Sequence, residues 1–289
     1  MSRQHGIRWE ACGRKILGDD DVVPKVMGIV NLTPDSFSDG GCSFDCLEAI
    51  DRARRLVAEG ADLIDLGGES SRPGAEPVSL AEELRRVIPV VEALASELTV
   101  PLSIDTTKAE VARLALDAGA TMINDISALS ADPDMAHTVA RAGAGVVLMH
   151  MRGDPATMQL DPRYDDLIGE IHDFLEQRVQ WAEARGIPRE RIAVDPGIGF
   201  GKTHAHNLAI LQNVERFDNL GCVILIGTSR KGFLGKITGR PLAERAAASV
   251  VSSLAGCVRG ARVVRVHDVA PMVDAIRIWS AVQGWENSR

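Results

Sequence analysis

The chain has 289 residues, 45% of them hydrophobic, and a formal net charge of −8. That length suits one domain with a large core, and no stretch of twenty residues is free of charge, so no membrane span is expected. The acidic balance and the lack of a basic stripe argue against a nucleic-acid partner.

The opening residues MSRQHGIRWEACGRK contain no apolar h-region, so a signal peptide is not expected. IRWEA (7–11) and RKILG (14–18), separated by a turn at Cys12-Gly13, predict a hairpin that plugs one end of the domain. Residues 1–22 are therefore read as an N-terminal hairpin extension and 23–289 as the main domain.

Eight short apolar runs follow: 26–31, 62–70, 102–106, 121–127, 145–151, 192–197, 223–231 and 263–268. They are rich in Val, Ile, Leu and Met, as strands buried on both faces should be. Helical periodicity separates them at 45–59, 79–97, 108–118, 133–142, 165–186, 206–216, 242–259 and 270–284. A β-α alternation of this length predicts an α/β fold, a single (β/α)₈ TIM barrel with an N-terminal β-hairpin. Long connections after strands are expected only twice, at 32–44 and 67–78.

Each apolar run ends on a polar residue. In a parallel barrel all these ends meet on one rim, where chemistry is done. The groups delivered there are Asn31, Glu69, Asp105, Asn124, His150, Asp195, Lys231, Arg265 and His267. Asp105 and Asp195 end apolar strands, where desolvation disfavours a free carboxylate. An acceptor-only group so placed calls for a partner with several N–H donors, such as the edge of a 2-amino-4-oxo-pyrimidine. A salt bridge, or a simple turn at Asp195-Pro-Gly, is the plainer alternative. Asn124 can donate and accept, which suits a mixed heterocycle edge.

Arg265 and His267 are two apart on the last strand and share a face. With Lys231 and Arg72 they predict local positive charge for a small anion in an acidic protein. The GFGK stretch (199–202) fits neither GxxxxGK[ST] nor GxGxxG, so a nucleotide P-loop is not expected. His204-x-His206 and Cys42-x₃-Cys46 each lack the further ligands of a metal site. Five cysteines, an odd number, are most simply reduced thiols in a cytoplasmic protein.

MGIVNLTPDSFSDGG (27–41), LGGESSRPGA (66–75), SIDT (103–106), INDIS (123–127), VLMHM (147–151), DPGIGFGK (195–202), GTSRK (227–231) and RVHDV (265–269) together resemble the signature segments of the dihydropteroate synthase family, pterin-binding barrels of folate biosynthesis. They stand in family order over nearly the whole chain. The resemblance implies condensation of 6-hydroxymethyl-7,8-dihydropterin diphosphate with p-aminobenzoate to 7,8-dihydropteroate and pyrophosphate. It implies a pterin site of Asp105, Asn124, Asp195, Lys231 and Arg265, and a diphosphate site of Asn31, Arg265 and His267, with Asn31 on Mg²⁺. It further implies p-aminobenzoate contacts from Phe37, Ser71, Arg72, Pro73, Phe200 and Ser229, and a closing loop carrying Thr33 and Asp35. Asp105, Lys231, Arg265 and His267 are the implied catalytic set, and the implied assembly is a homodimer that sulfonamides inhibit. Ser71 stands where relatives often have Thr, and Gly232 where a larger residue is usual.

Two rivals are weighed. Corrinoid-dependent methyltransferases acting on methyltetrahydrofolate share the barrel and pterin site but have no use for a diphosphate grip. A pterin-binding homologue without catalysis would not need every motif residue.

Overall fold

In a computed structural model, residues 7–18, 20–33, 42–72 and 74–285 are described, with the backbone alone for 42–45. The hairpin forms from β1 (Trp9–Ala11) and β2 (Arg14–Leu17), paired antiparallel. Cys12 turns the chain with a left-handed backbone, φ 48°.

The barrel strands are β3 (Lys25–Asn31), β4 (Leu63–Gly67), β5 (Leu102–Asp105), β6 (Met122–Asp125), β7 (Gly145–Met149), β8 (Ile192–Asp195), β9 (Val223–Ile226) and β10 (Val263–Val266). They are parallel and close in the order β10-β3-β4-β5-β6-β7-β8-β9. Each expected run supplies one strand, so the (β/α)₈ reading holds.

Side chains alternate across each strand. Val26, Val30, Ile64, Leu66, Ile104, Ile123, Val146, Leu148, Val194, Ile224 and Val264 face outward into the helical layer. The opposite set fills the interior: Met27, Leu63, Met122, Val147, Ala193, Leu225 and Val263 pack with Trp9, Ala11, Ile16 and Leu17 of the hairpin. The hairpin thus seals the N-terminal end of the barrel, as expected. Trp9 is fully buried there. Trp9→Ala should therefore cost about 3–5 kcal/mol of stability, read by urea unfolding. Ligand affinity at the far rim should be unchanged in the folded variant, and a loss of stability below about 1 kcal/mol would deny the plug its role.

The helices are α1 (Cys42–Ala58), α2 (Leu80–Ala95), α3 (Ala109–Asp117), α4 (Met135–Ala142), α5 (Leu167–Glu183), α6 (His204–Gln212), α7 (Gly232–Thr238), α8 (Ala246–Val258) and α9 (Val269–Val282). Local chemistry sets their ends. The Ser79 hydroxyl accepts from Glu82 N to start α2, and Gly143 ends α4 in a left-handed conformation. His204-x-His206 opens α6. His206 and Thr203 form a reciprocal capping box, so the work of His206 is structural, whereas His204 lines a rim cavity. α6 also stops earlier than its periodicity predicts: Asn213 leaves the helical region at φ −130° and its amide donates to Ala209 O. A 3₁₀ segment, Val214–Leu220, continues the chain.

One loop expectation needs correction. The connection from β7 to α5, residues 150–166, is a third long one. Contacts distant in sequence hold it. Gln159 donates to Gly199 O at 2.7 Å and the Tyr164 hydroxyl to Gly201 O at 2.8 Å. It forms a wall beside the connection after β8.

Candidate active site

The interior alternation continues upward from the apolar plug. Above Met27 and Leu63 come Ile29, Asp65 and Ser103, and above those Asn31, Gly67, Asp105 and Asn124, which align across neighbouring strands. The barrel is apolar at its base and charged at its rim.

Arg265 is the hub. Its Nε donates to Asp65 Oδ2 at 2.6 Å and an Nη donates to Asp105 Oδ2 at 2.8 Å. Asn124 donates through its amide to the same Asp65 oxygen at 3.1 Å. Desolvation pushes the Asp105 carboxyl well above its ordinary range, Arg265 pulls it back, and Asp65, Glu83 and Asp125 push it up again. The salt bridge that sequence left as an alternative for Asp105 is therefore real. Asp195 is buried, and its Oδ1 accepts from Gly197 N at 2.7 Å. Burial raises its pKa, against the pull of that N–H and of Lys231, Lys202 and Arg265.

Around this hub lies a rim cavity of about 620 Å³. Asn31, Thr33, Asp105, Arg265 and His267 line it. So do Ser71, Arg72, Phe200, Ser229 and Lys231. A second hollow of about 580 Å³ adjoins it, sharing Glu69, Ser70, Ser71 and Asp105. Asn124 and Asp195 are buried outside the lining of either hollow. Asp35, Phe37 and Pro73 lie outside the described residues.

Lys231 Nζ sits 4.0 Å from the Phe200 ring centroid, a cation–π contact. Burial and the neighbouring Arg265 lower its pKa to about 8. The Ser229 hydroxyl accepts from His267 N at 3.1 Å and lies 3.0 Å from His267 Nδ1. That contact places Nδ1 on Ser229 and leaves Nε2 as the ring nitrogen not engaged by it. Burial, with Arg265 and Arg230, holds His267 down to about 3. His267 is thus neutral at the anion side, and the positive charge there is Arg265's.

His150 departs from expectation. It is buried, lines neither hollow, and meets the Nζ of Lys202 through Nδ1 at 2.9 Å. Lys202 also donates to the carbonyls of Phe200 and His150. The pair fixes the turn that carries Phe200. Gly197 permits this with φ +71°, since an added Cβ would collide with the His150 carbonyl oxygen. Glu69 is a support of the same kind. It pairs with Lys108 and accepts from Val78 N, tying down the loop that bears Ser71 and Arg72. Lys108 also reaches fully buried Glu83 at 2.5 Å.

Sequence reasoning missed Asp65, Lys202 and the Lys108–Glu83 pair. For Asp65 a signal existed: an acid flanked by Ile64 and Leu66, two residues before the rim glycine Gly67.

A family model described as pterin binding enzyme matches residues 27–267. The chain belongs to the pterin-binding enzyme family. A curated relative from Synechocystis, named dihydropteroate synthase, is 47% identical over 258 residues, covering 89% of each chain. The dihydropteroate synthase of Xanthomonas albilineans with 4-aminobenzoic acid superposes with a TM-score of 0.89 at 49% identity, covering 96% of this chain and 98% of that one. The same organism's enzyme in complex with 7,8-dihydropteroate gives 0.85 at 46% identity, with the same coverage.

Proposed function

We propose that this chain is a dihydropteroate synthase: it joins the pterinylmethyl group of 6-hydroxymethyl-7,8-dihydropterin diphosphate to the amine of p-aminobenzoate, releasing pyrophosphate. The observation that carries this reading is the juxtaposition at one rim. An acid–amide set (Asp105 with buried Asn124 and Asp195) lies at the same rim as a cation and neutral donor (Arg265, His267) and as Phe200, Ser229 and Lys231. Those surroundings match in turn a heterocycle with N–H donors, a diphosphate, and an aromatic carboxylate.

In this reading Asp195 accepts from the pterin ring, while Asn124 and Lys231 complete the polar edge. Arg265 and the Nε2–H of His267 bind the diphosphate. The methylene C–O bond breaks first and its electron pair leaves with pyrophosphate, whose charge these donors stabilise. The Asp105 carboxyl, held beside Arg265, stabilises the positive charge that spreads into the pterin ring. The arylamine lone pair then forms the C–N bond, and its proton departs to solvent or pyrophosphate. Phe200, Ser71, Arg72 and Ser229 hold the arylamine, joined by Phe37 and Pro73 from their loops, with Thr33 and Asp35 in the closing loop.

Mg²⁺ fits one donor in particular. Among the described residues, the one cluster of three or more ligating side chains close enough for a metal, His172, Asp173 and Glu176, does not line the cavity. Asn31 does line it, and a single neutral oxygen suits a cation whose other ligands are phosphate oxygens and water. Bound there, Mg²⁺ would neutralise leaving-group charge.

The same reading makes the protein a cytoplasmic homodimer and a sulfonamide target. Cys12, Cys46, Cys222 and Cys257 are free thiols. No helix among the described residues is long and apolar enough to cross a membrane. Val251 and Val258 of α8 and Ile278 and Val282 of α9 are exposed apolar side chains that a second copy would cover.

The deciding experiment is formation of 7,8-dihydropteroate, with release of pyrophosphate, from the two substrates together; no dihydropteroate would sink the proposal. A corollary is ordered binding. p-Aminobenzoate is too small to offset the entropy of ordering two long loops, whereas pyrophosphate offers several charges to Asn31, Arg265 and His267. Calorimetry should therefore detect p-aminobenzoate, or a sulfonamide that mimics it, only when Mg²⁺-pyrophosphate is present. Tight binding to the bare enzyme would contradict the order.

A further inference from the structure

Asp65 is fully buried in the middle of β4, an interior position that none of the expected roles covers. One of its oxygens, Oδ2, accepts from two site residues at once, Arg265 Nε at 2.6 Å and the Asn124 amide at 3.1 Å. The other, Oδ1, has no hydrogen-bond partner among the described residues. A packing role accounts poorly for this. A buried ion pair is often matched or bettered by apolar residues of similar volume, and an unpartnered oxygen adds cost.

A carboxylate only accepts hydrogen bonds, whereas a primary amide has an accepting end and a donating end. Asp65 Oδ2, accepting from beneath, therefore holds the Asn124 amide with its NH₂ downward and its carbonyl oxygen away. The same oxygen pins the Nε edge of the guanidinium while Asp105 pins an Nη. Both side chains are fixed before any ligand arrives.

We propose that Asp65 is a positioning residue that sets which hydrogen-bonding end Asn124 presents to the heterocycle and locks the plane of Arg265 beside it. Asn124 then shows the ligand an acceptor, so that Asn124 and Asp195 together select a ring edge bearing N–H donors. This rests on the pterin reading above and extends it to the origin of edge selectivity.

The test uses Asp65→Asn, Asn124→Asp and the two combined, alongside the unaltered enzyme. In Asp65→Asn the new amide can donate upward, which frees Asn124 to flip. Affinity for 6-hydroxymethylpterin, measured by calorimetry, should fall at least tenfold. Affinity for Mg²⁺-pyrophosphate should fall less than threefold. The combined variant conserves charge and restores an N–H···O contact between the two positions, now donated from position 65. Position 124 again shows the ligand an acceptor, so this variant should recover most of the pterin affinity. A merely structural role for Asp65 predicts no such rescue, because the swap adds a second change to the core. Pterin affinity in Asp65→Asn within threefold of the unaltered enzyme would overturn the proposal, and so would a combined variant no better than the single. If Asp65→Asn does not fold, the combined variant carries the comparison against Asn124→Asp. Failure of the functional reading shows separately, as an unaltered enzyme that binds no pterin and releases no pyrophosphate.

Discussion

Replacing Asp195 with alanine should abolish detectable pterin binding, and replacing it with asparagine should do nearly the same without disturbing the loop. In both variants the ring N–H donors lose their charged acceptor. A charge-assisted contact of this kind in a buried site is worth on the order of 3 kcal/mol, above a hundredfold in affinity. The two variants differ in what else they remove. Asp195 Oδ1 caps Gly197 N, the start of the turn that leads to Phe200. Alanine loses that cap, whereas the asparagine carbonyl keeps it and turns its NH₂ towards the ligand, donor against donor. Calorimetry with 6-hydroxymethylpterin should thus find both variants impaired, while thermal unfolding separates them, with alanine the less stable. An asparagine variant that binds within fivefold of the parent would remove Asp195 from the pterin edge.

What the sequence revealed and what it hid follow from one physical distinction. A buried parallel strand needs an unbroken apolar run, so the eight strands and their polar C-terminal ends were legible, and with them Asn31, Asp105, Lys231 and Arg265 at the rim. The shared face of Arg265 and His267 was legible too, because strand periodicity is strictly two. Pairings across the barrel were not. Asp65 and Arg265 are 200 residues apart, and only the register of the closed sheet brings them together. Local pattern likewise cannot say whether a strand-end histidine meets a ligand or a lysine from the next loop. His150 meets Lys202, so a group expected at the lining became a support. The neutrality of His267 depends on burial and on two arginines, one of them from another loop. The third long loop was hidden for the same reason: its anchors, Gly199 and Gly201, lie on a different connection.

Arg265→Ala should be the most damaging single change at the rim, and its damage should extend beyond the leaving group. The placement of Arg265 beside His267 as an anion grip would by itself confine the effect to pyrophosphate, with pterin affinity almost unchanged. The observed pairing alters that expectation, since Arg265 is the cation between Asp65 and Asp105. Removing one partner of a buried ion pair leaves an uncompensated charge, at a cost of about 3–5 kcal/mol. Here two carboxylates would face each other with the guanidinium gone. Asp105 already sits above its ordinary range because of burial and its acidic neighbours, and Arg265 is the chief influence lowering it. In the variant its folded-state pKa must rise further. A carboxyl raised in the folded state is one that the unfolded chain ionises more easily, so folding stability falls as pH climbs from the ordinary carboxylate value to the raised one. The part of the Arg265→Ala stability deficit that is linked to Asp105 should therefore be absent below the parent's folded value of about 7, where Asp105 is protonated in both folded proteins, and should grow as pH climbs through and above it. His267→Ala makes the contrast. The imidazole is bonded to Ser229 and held neutral while the unfolded chain protonates it below the ordinary value of 6.5, so its loss should slow pyrophosphate release and remove a destabilisation that the parent incurs as pH falls from 6.5 towards about 3. Urea unfolding of the three proteins from about pH 4 to about pH 9 reads both expectations. A deficit for Arg265→Ala that stays constant with pH would mean that the two aspartates do not depend on its charge, and would return Arg265 to a purely leaving-group role.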